Sequence, residues 1–287
     1  MKPSAFEYEC PTDLNAVLGF LGEGTDTRIL AGGQSLVPMM NYRLVAPERL
    51  IDINRVHGLD YVREEDGQIA IGALARHGDI KASALIITHL PIMAEAYGWI
   101  AHAAVRNRGT LCGNLCHADP ASEMPALMQV LGATMVVSKS AGSRHVPASE
   151  FFLGTYETVV GADEMLTEVR IPIPEAGTGW AFQEVAMRKG DYAWCTVAAT
   201  LRVTEGRITA PRIAVAGLAD HAYRLEAQEA ELDGAAPGAD VFQTVAHAAA
   251  EAADPPDTEQ ISADYRRDLL RTLLPRVLRA AVGRAGH

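Results

Sequence analysis

Two short glycine-containing segments constrain this chain more than any other feature of its sequence. The first, Ala31-Gly32-Gly33-Gln34-Ser35-Leu36, overlaps a short apolar run at residues 28–31 that is typical of a buried strand. Adjacent glycines let successive backbone N–H groups point into one concavity, which suits the oxygens of a pyrophosphate, and Gln34 and Ser35 add side-chain donors. Taken alone, the segment has a second interpretation as an ordinary turn that ends a strand.

The second segment, residues 106–114, again combines small residues with hydrogen-bond donors: Thr110, Gly113 and Asn114. Just downstream lie polar residues that suit the hydroxyls of a ribose or ribitol: His117, Asp119 and Glu123. Two segments of this kind in one half of the chain predict a single long ligand that bears phosphate.

Several of these residues also have structural interpretations. Asp119 precedes Pro120 and suits the opening of a turn, and Glu123 suits the first turn of a helix, where an acid complements the helix dipole. His102 and His117 belong to a residue type that more often fills a polar or core position than catalyses, and no carboxylate is paired with either in the sequence.

The motifs that are missing exclude several functional classes. Neither glycine segment has the G-x-G-x-x-G or G-K-[ST] pattern, which disfavours Rossmann and P-loop interpretations. The sequence has no G-x-S-x-G or H-E-x-x-H motif, and no cysteine stands with a placed histidine, so we predict no catalytic residue. Of four cysteines only Cys112 and Cys116 lie close together, so we predict no metal ligands, and any iron–sulfur chemistry must lie on another chain.

Composition and charge narrow the class further. With 287 residues, 48% of them apolar, the chain can bury a large core in one to three domains. Its 25 basic and 36 acidic residues give a net charge of −11, which opposes nucleic acid and anionic membranes as partners. No run approaches the roughly 18 to 20 apolar residues of a membrane span, and the first residues lack an apolar signal core, so we expect a cytoplasmic protein.

The pattern of elements changes near residues 175–179, which predict a linker. Before it, short strands alternate with helices, including a helix over 91–104 and a hairpin turn at Asp66-Gly67. After it, two β-rich runs at 196–203 and 208–218 predict an antiparallel hairpin.

Helices follow that hairpin, over 243–253 and from Tyr265 to beyond Val277. Pro211 predicts an edge or a bulge in its strand, and Pro275 predicts a kink or break in the last helix. We interpret the arginines of that helix, Arg266 among them, as a solvated face, with a subunit contact as the alternative interpretation.

Both glycine segments, with Ala118-Asp119-Pro120-Ala121-Ser122-Glu123-Met124-Pro125 and Arg188-Lys189-Gly190-Asp191-Tyr192-Ala193, resemble the medium FAD-binding subunit of bacterial molybdenum hydroxylases. That family includes carbon monoxide dehydrogenase and the quinoline- and nicotine-hydroxylating enzymes, and the flavin domain of xanthine dehydrogenase is related. The resemblance covers essentially the whole chain.

The resemblance implies an α+β fold in two domains. Residues 1–175 are expected to form the two-part FAD-binding domain of the vanillyl-alcohol-oxidase type, with subdomains divided near residue 55. Residues 178–287 are expected to form the small C-terminal α+β domain of these subunits, an antiparallel sheet with helices.

The resemblance also implies which residues bind FAD. The pyrophosphate contacts fall on Ala31, Gly32, Gly33, Gln34, Ser35 and Leu36. Further contacts are expected at His102, Thr110, Gly113, Asn114, His117 and Asp119, with Glu123 on the ribitol, Leu166 packing on the flavin ring and Tyr192 near its reactive face. Two positions depart from the family pattern: Cys112 replaces the usual glycine, and Gln183 stands where some relatives have a lysine near the flavin.

In function, the resemblance implies an oxidoreductase subunit that transfers electrons. A large partner chain with a molybdenum–cytosine dinucleotide would hydroxylate the substrate, an N-heteroaromatic compound in our interpretation. A small partner chain with two [2Fe–2S] clusters would pass electrons to FAD, and FAD would reduce an external acceptor. The expected assembly is a dimer of heterotrimers, and since the flavin carries the chemistry, no protein acid or base is needed.

Two other functions are open at this stage. A free-standing flavin oxidase would bind its own substrate over the ring, although the C-terminal part supplies few polar groups for such a pocket. A flavin-free assembly module is the other, and only the departure at Cys112 supports it.

Overall fold

A small parallel sheet opens the fold of the computed structural model, which describes residues 2–286. Its three strands have the spatial order β1-β3-β2. The elements of this part are β1 (Glu7–Glu9), α1 (Leu14–Leu21), β2 (Thr27–Leu30), α2 (Leu36–Asn41) and β3 (Arg49–Asp52). Asp13 caps α1 by accepting a hydrogen bond from the Ala16 backbone N–H at 3.0 Å, and Val17, Leu18 and Leu21 bury one face of the helix. The first glycine segment therefore lies between β2 and α2.

A five-stranded antiparallel sheet with the order β4-β5-β10-β6-β7 forms the second part. Its strands are β4 (Val62–Glu65), β5 (Gln68–Gly72), β6 (Thr134–Lys139), β7 (Gly142–Pro147) and β10 (Met165–Pro172), and β8 (Phe152–Gly154) pairs separately with β9 (Glu157–Thr158). Its helices are α3 (His77–Ala82), α4 (Ala84–His89), α5 (Pro91–Ala96), α6 (Ala103–Arg106), α7 (Leu111–His117), α8 (Glu123–Leu131) and α9 (Ala148–Phe151). The predicted hairpin turn is confirmed, because Asp66 and Gly67 join β4 to β5 with positive φ angles of 51° and 73°.

The single helix predicted over 91–104 is wrong, because the structure has two helices there. The first, α5, ends at Ala96, and α6 begins only at Ala103. Between them Ala101 adopts a left-handed conformation with φ of 45°, which interrupts the helical path. Arg106 stabilises this turn by donating from Nη1 to the backbone oxygens of Ile100 and Ala101, both at 2.7 Å.

A four-stranded antiparallel sheet, order β11-β12-β13-β14, and three helices make up the C-terminal part. Its elements are β11 (Gly179–Ala186), β12 (Ala193–Thr204), β13 (Arg207–Ala216), β14 (Tyr223–Arg224), α10 (Glu226–Leu232), α11 (Ala239–Ala252) and α12 (Ala263–Arg284). The predicted hairpin is confirmed as β12–β13, and Pro211 lies in a bulge where the register shifts opposite Thr200 and Arg202. The predicted α+β class is therefore confirmed.

Two expectations for the last helix are wrong. Pro275 does not break α12, which is one continuous helix. Leucines on both sides of the proline, Leu274 and Leu278 among them, are fully buried, and burying several such side chains offsets the roughly 3 kcal/mol that an internal proline costs. Arg266 is not on a solvated face, since it is 8% exposed and donates to the backbone oxygens of Trp194 and Gly217 at 2.7 and 2.6 Å.

The C-terminal sheet lies between two layers of helix. One face, with Ala181 and Val197, joins the core formed with α11 and α12. The opposite face, with Phe182 and Ala198, joins the core of the N-terminal part, where it covers α8. All nine residues of α8 are buried in consequence, and Glu123 begins this helix. Within residues 2–286, no helix is long and apolar enough to cross a membrane.

Candidate functional site

A cavity of about 780 Å³ runs along both glycine segments. Its wall combines the end of β2, the start of α2, the N-terminal turn of α7, strand β10 and the segment that precedes β12. This volume is within the usual range for sites that enclose a cofactor-sized ligand. The two glycine segments therefore face one shared space, as a single long ligand requires.

The two segments touch each other through bare main chain at Gly32. A Cβ atom at Gly32 would lie 2.3 Å from the carbonyl oxygen of Arg108 and 2.7 Å from the Cα of Gly109. No side chain fits at such distances, so only glycine allows this approach. Gly33 has a φ of +69°, a conformation that side chains disfavour. The contact between the two segments thus requires glycine at position 32, and the positive φ requires it at position 33. Both requirements hold in addition to any that a bound ligand imposes.

A chain of polar contacts holds the two segments together from behind. Asn54 donates from Nδ2 to the Ala31 carbonyl at 2.9 Å and accepts from Nη2 of Arg76 at 2.5 Å. Nη1 of Arg76 donates to the Arg108 carbonyl at 2.6 Å. Sequence analysis did not predict the roles of Asn54 and Arg76. Asn54 follows β3 and Arg76 follows β5, and these strands belong to different sheets, so the contact between the two side chains arises only in the folded chain. No local signal marks them.

Removing the guanidinium group of Arg76, which does not itself line the cavity, is expected to weaken ligand binding. Arg76→Met deletes both guanidinium contacts and leaves the Arg108 carbonyl and Asn54 without their donor, which costs about 1–3 kcal/mol. We expect FAD affinity to fall about 5- to 150-fold, measured by calorimetric titration. The control is Arg276→Met, which changes an exposed arginine of α12. Equal affinity in the two variants would contradict the bracing role.

The second segment is ordered by its own side chains. The Thr110 hydroxyl caps α7 by accepting from the Gly113 backbone N–H at 3.1 Å, and a Cβ at Gly113 would lie 2.8 Å from that hydroxyl. Asn114 and Ser122 exchange two hydrogen bonds, at 2.9 and 3.1 Å. Cys112, where the resemblance implies a glycine, is a buried residue inside α7.

Glu123 brings a buried carboxyl group to the cavity wall. It is 4% exposed, and burial raises its pKa to about 7, with its own backbone N–H partly opposing the shift. Close by, the ring of His117 stacks on Tyr156 with centroids 4.9 Å apart, and burial lowers the pKa of His117. This end of the cavity is therefore acidic or neutral, with hydrogen-bond capacity for hydroxyl groups.

Most of the predicted site residues line the cavity. They are Ala31, Gly32, Gly33, Gln34, Ser35, Leu36, Thr110, Gly113, Asn114, His117, Glu123, Leu166 and Tyr192. His102 and Asp119 do not line it. His102 stands at the N-cap of α6, and Asp119 accepts from the Ala121 backbone N–H at 2.9 Å and from the Tyr156 hydroxyl at 3.3 Å. The Asp119 side chain therefore holds the turn before α8, while the exposed side chain of His102 makes no capping hydrogen bond, and neither borders the cavity.

The cavity suits a ligand with phosphate and sugar groups. Arg28 is the only arginine or lysine that lines it within the described residues, so phosphate oxygens would meet main-chain N–H groups at Gly32 and Gly33. The hydroxyl of Thr27, also in the wall, is buried and has no hydrogen-bond partner within residues 2–286. An unpaired buried hydroxyl of this kind is satisfied when a polar ligand occupies the site.

Comparison with known proteins agrees with this site. Residues 4–174 match the family described as the FAD binding domain in molybdopterin dehydrogenase, and residues 180–281 match the CO dehydrogenase flavoprotein C-terminal domain. These matches and the cavity define the class as a two-domain flavoprotein. The chain belongs to the family of FAD-binding medium subunits of molybdenum hydroxylases, which are oxidoreductases, as the sequence predicted.

Individual relatives match along their whole length. Caffeine dehydrogenase subunit beta of a Pseudomonas species is 38% identical, covering 100% of this chain and 98% of its own. Subunit alpha of the 6-hydroxypseudooxynicotine dehydrogenase complex of Paenarthrobacter nicotinovorans is 40% identical, covering 99% and 97%. In the solved carbon monoxide dehydrogenase of Hydrogenophaga pseudoflava, one chain matches with a TM-score of 0.97 and 39% identity over 100% of both chains.

Proposed function

We propose that this chain binds one FAD in the 780 Å³ cavity and relays electrons from a partner's iron–sulfur clusters through it to an external acceptor. The observation that carries the proposal is the meeting of both glycine segments at one cavity, with main chain facing it at Gly32. When bound, the flavin would supply the redox chemistry, because it exchanges electrons singly or in pairs.

In this proposal the predicted residues divide by the part of FAD that they hold. The segment from Ala31 to Leu36 holds the pyrophosphate with backbone N–H groups. Glu123 accepts from ribitol hydroxyls, while Leu166 and Tyr192 flank the ring. Asp119 acts by positioning, because it does not line the cavity but holds the Ala121 backbone N–H and the hydroxyl of the wall residue Tyr156. The domain boundaries that we propose are 1–175 and 178–287, and the family matches at 4–174 and 180–281 support them.

The chain's own task is to hold and orient the cofactor. Burial raises the pKa of Glu123 to about 7, so this wall carboxyl group changes its charge near neutral pH. The burial of Leu166 keeps that part of the wall apolar, so that water is excluded where the ring would lie.

Partners complete the proposed assembly. A large chain with a molybdenum–cytosine dinucleotide would hydroxylate the substrate, and a small chain with two [2Fe–2S] clusters would deliver electrons, in a cytoplasmic dimer of heterotrimers. The names of the relatives support a multisubunit enzyme, since they are given as subunits of dehydrogenases. Those relatives act on caffeine, on 6-hydroxypseudooxynicotine and on carbon monoxide. Because similar chains serve enzymes with such different substrates, we propose that the substrate pocket lies on another chain. We also propose that the substrate is an N-heteroaromatic compound.

Purification of the natural complex tests the proposal. We expect the chain to copurify with a larger and a smaller chain and to show flavin absorption near about 450 nm. Oxidation of an organic substrate by this chain alone would instead support a free-standing oxidase. A chain that binds no flavin, alone or in complex, would support an assembly module.

Chemical labelling of cysteines in the presence and absence of FAD tests where FAD binds. Cys116 lines the cavity and is an exposed residue, whereas Cys10 lies outside it and is half-buried. We expect FAD to protect Cys116 from prolonged maleimide labelling and to leave Cys10 labelling unchanged, as read by mass spectrometry of peptides. Labelling is expected to be slow, because burial raises the pKa of Cys116 to about 12. Unprotected Cys116 in an FAD-saturated chain would contradict the placement.

A further inference from the structure

A buried carboxyl group without a partner lies just behind the candidate FAD site. Glu184 on β11 is 6% exposed, and neither of its carboxylate oxygens has a hydrogen-bond partner in the described chain. Directly across the sheet, Thr196 on β12 is fully buried, and its hydroxyl also lacks a partner within residues 2–286. Such groups are rare in folded proteins and call for a specific explanation.

The face of the sheet that carries Glu184 is the one that covers α8. Phe182 and Ala198 lie on the same face, and both pack into the core that contains α8. The first residue of α8 is Glu123, which lines the cavity. The charge of Glu123 adds to burial in raising the pKa of Glu184 to about 8. The backbone also brings the two residues together: Thr196, opposite Glu184, pairs with Ala216, and the next residue, Gly217, donates its N–H to the Pro120 carbonyl at 2.8 Å, three residues before Glu123.

The other titratable groups around this pair add no compensating cation. Asp119 raises the pKa of Glu123, and the phenol of Tyr192 responds to the charges of both Asp119 and Glu123. His117 is near Asp119 and has a lowered pKa, so it is neutral at pH 7. Within the described chain, no arginine or lysine lowers the pKa of Glu123 or Glu184. Protons are then the means by which this pair can be neutralised.

We propose that Glu184 and Glu123 form a proton-binding site that takes up a proton from solvent when negative charge arrives in the adjoining cavity. The inference rests on the proposed function, because the charge is that of electrons entering bound FAD. In the coupled step, one solvent proton converts a glutamate carboxylate into the carboxylic acid. No electron passes through either glutamate, and no bond forms between them and the cofactor. The uptake offsets the added charge and makes reduction easier at lower pH.

The expected signature is a proton uptake that depends on Glu184. FAD-loaded wild type and variants are reduced electrochemically in weakly buffered solution containing a pH-indicator dye, and the midpoint potential is followed from about pH 6 to 9. Because the pKa values of the pair are about 7 and 8, wild type should take up extra protons in that range. Glu184→Gln should lose the part of this uptake that is centred near pH 8, with the matching steeper part of the potential-against-pH curve. The control Glu231→Gln changes an exposed glutamate of α10 and should behave as wild type.

Infrared spectroscopy provides a second readout that does not need the variant or the cofactor. In cofactor-free wild type, the carbonyl band of a buried carboxylic acid should be present at pH 7 and should fade as the pH rises past about 8. On reduction of the FAD-loaded protein, the same band should grow. A missing acid band, or an unchanged proton uptake in Glu184→Gln, would overturn the inference. Failure of wild type to bind FAD would instead refute the proposed function and, with it, the charge-coupled uptake, whereas FAD binding without the acid band would overturn the inference alone.

Discussion

Gly32→Ala is expected to purify without FAD and to bind added FAD at least about 100-fold more weakly than wild type, a loss of about 3 kcal/mol. The added Cβ would lie 2.3 Å from the Arg108 carbonyl oxygen and 2.7 Å from the Cα of Gly109. Both neighbours are main chain and cannot rotate away, so the two glycine segments must separate. The gap would break the wall that both segments share. Flavin content and titration by flavin fluorescence measure the effect.

Two further glycine variants separate this clash from a general loss of stability. Gly19→Ala places a methyl group on α1 where nothing lies within 4 Å, and alanine is the better helix former, so FAD binding should stay at the wild-type level. Gly33→Val should also lose FAD, because φ is +69° and a Cβ would press on Leu30 and Val37 at 3.1 and 3.2 Å. Normal FAD content in Gly32→Ala would contradict the contact between the segments.

Glu123→Gln is expected to change stability and ligand binding in opposite directions. Burial raises the pKa of Glu123 from 4.5 to about 7, so the folded chain binds more protons than the unfolded chain between these values. The resulting destabilisation is absent below about pH 4.5, grows as the pH rises to about 7, and remains in full above it. At pH 8 the glutamine variant without FAD should therefore be more stable, by up to about 3 kcal/mol.

The same variant is expected to bind FAD more weakly. Replacing a carboxylate by an amide removes charge-assisted hydrogen bonds to ribitol hydroxyls, worth roughly 1.5 to 3 kcal/mol, so affinity should fall by about 10- to 150-fold. Urea unfolding at pH 5 and pH 8, with calorimetric FAD titration, measures both effects. Glu231→Gln is the control and should change neither. Unchanged FAD affinity would mean that Glu123 only begins α8.

The site residues that the sequence predicted are those with local signals. Gly32 and Gly33 stand out because adjacent glycines follow an apolar run; Gly32 proves necessary for close main-chain approach, and Gly33 for its φ of +69°. The hairpin turn at Asp66-Gly67 is predicted from a similar local signal, an acidic residue followed by glycine between two strands, and both of its residues have positive φ. Local backbone chemistry of this kind is visible in the order of residues alone.

What the sequence did not predict depends on contacts between distant parts of the chain. Asn54 and Arg76 join the two glycine segments only after the sheets are assembled. In the sequence, Arg266 is one of several arginines of α12 that suit an exposed face. Only the folded structure shows that it donates to the backbone oxygens of Trp194 and Gly217. Glu184 looks like an ordinary strand residue, and its burial follows from the packing of the C-terminal sheet on the N-terminal part, where β11 contacts α5 and the neighbouring β12 contacts α8.

A structure determined with FAD bound tests the central claim most directly. The account predicts one FAD per chain, with its pyrophosphate against the backbone at Gly32 and Gly33 and its ribitol within hydrogen-bond distance of Glu123. FAD bound at another surface, or a cavity that stays empty at saturating FAD, would contradict it.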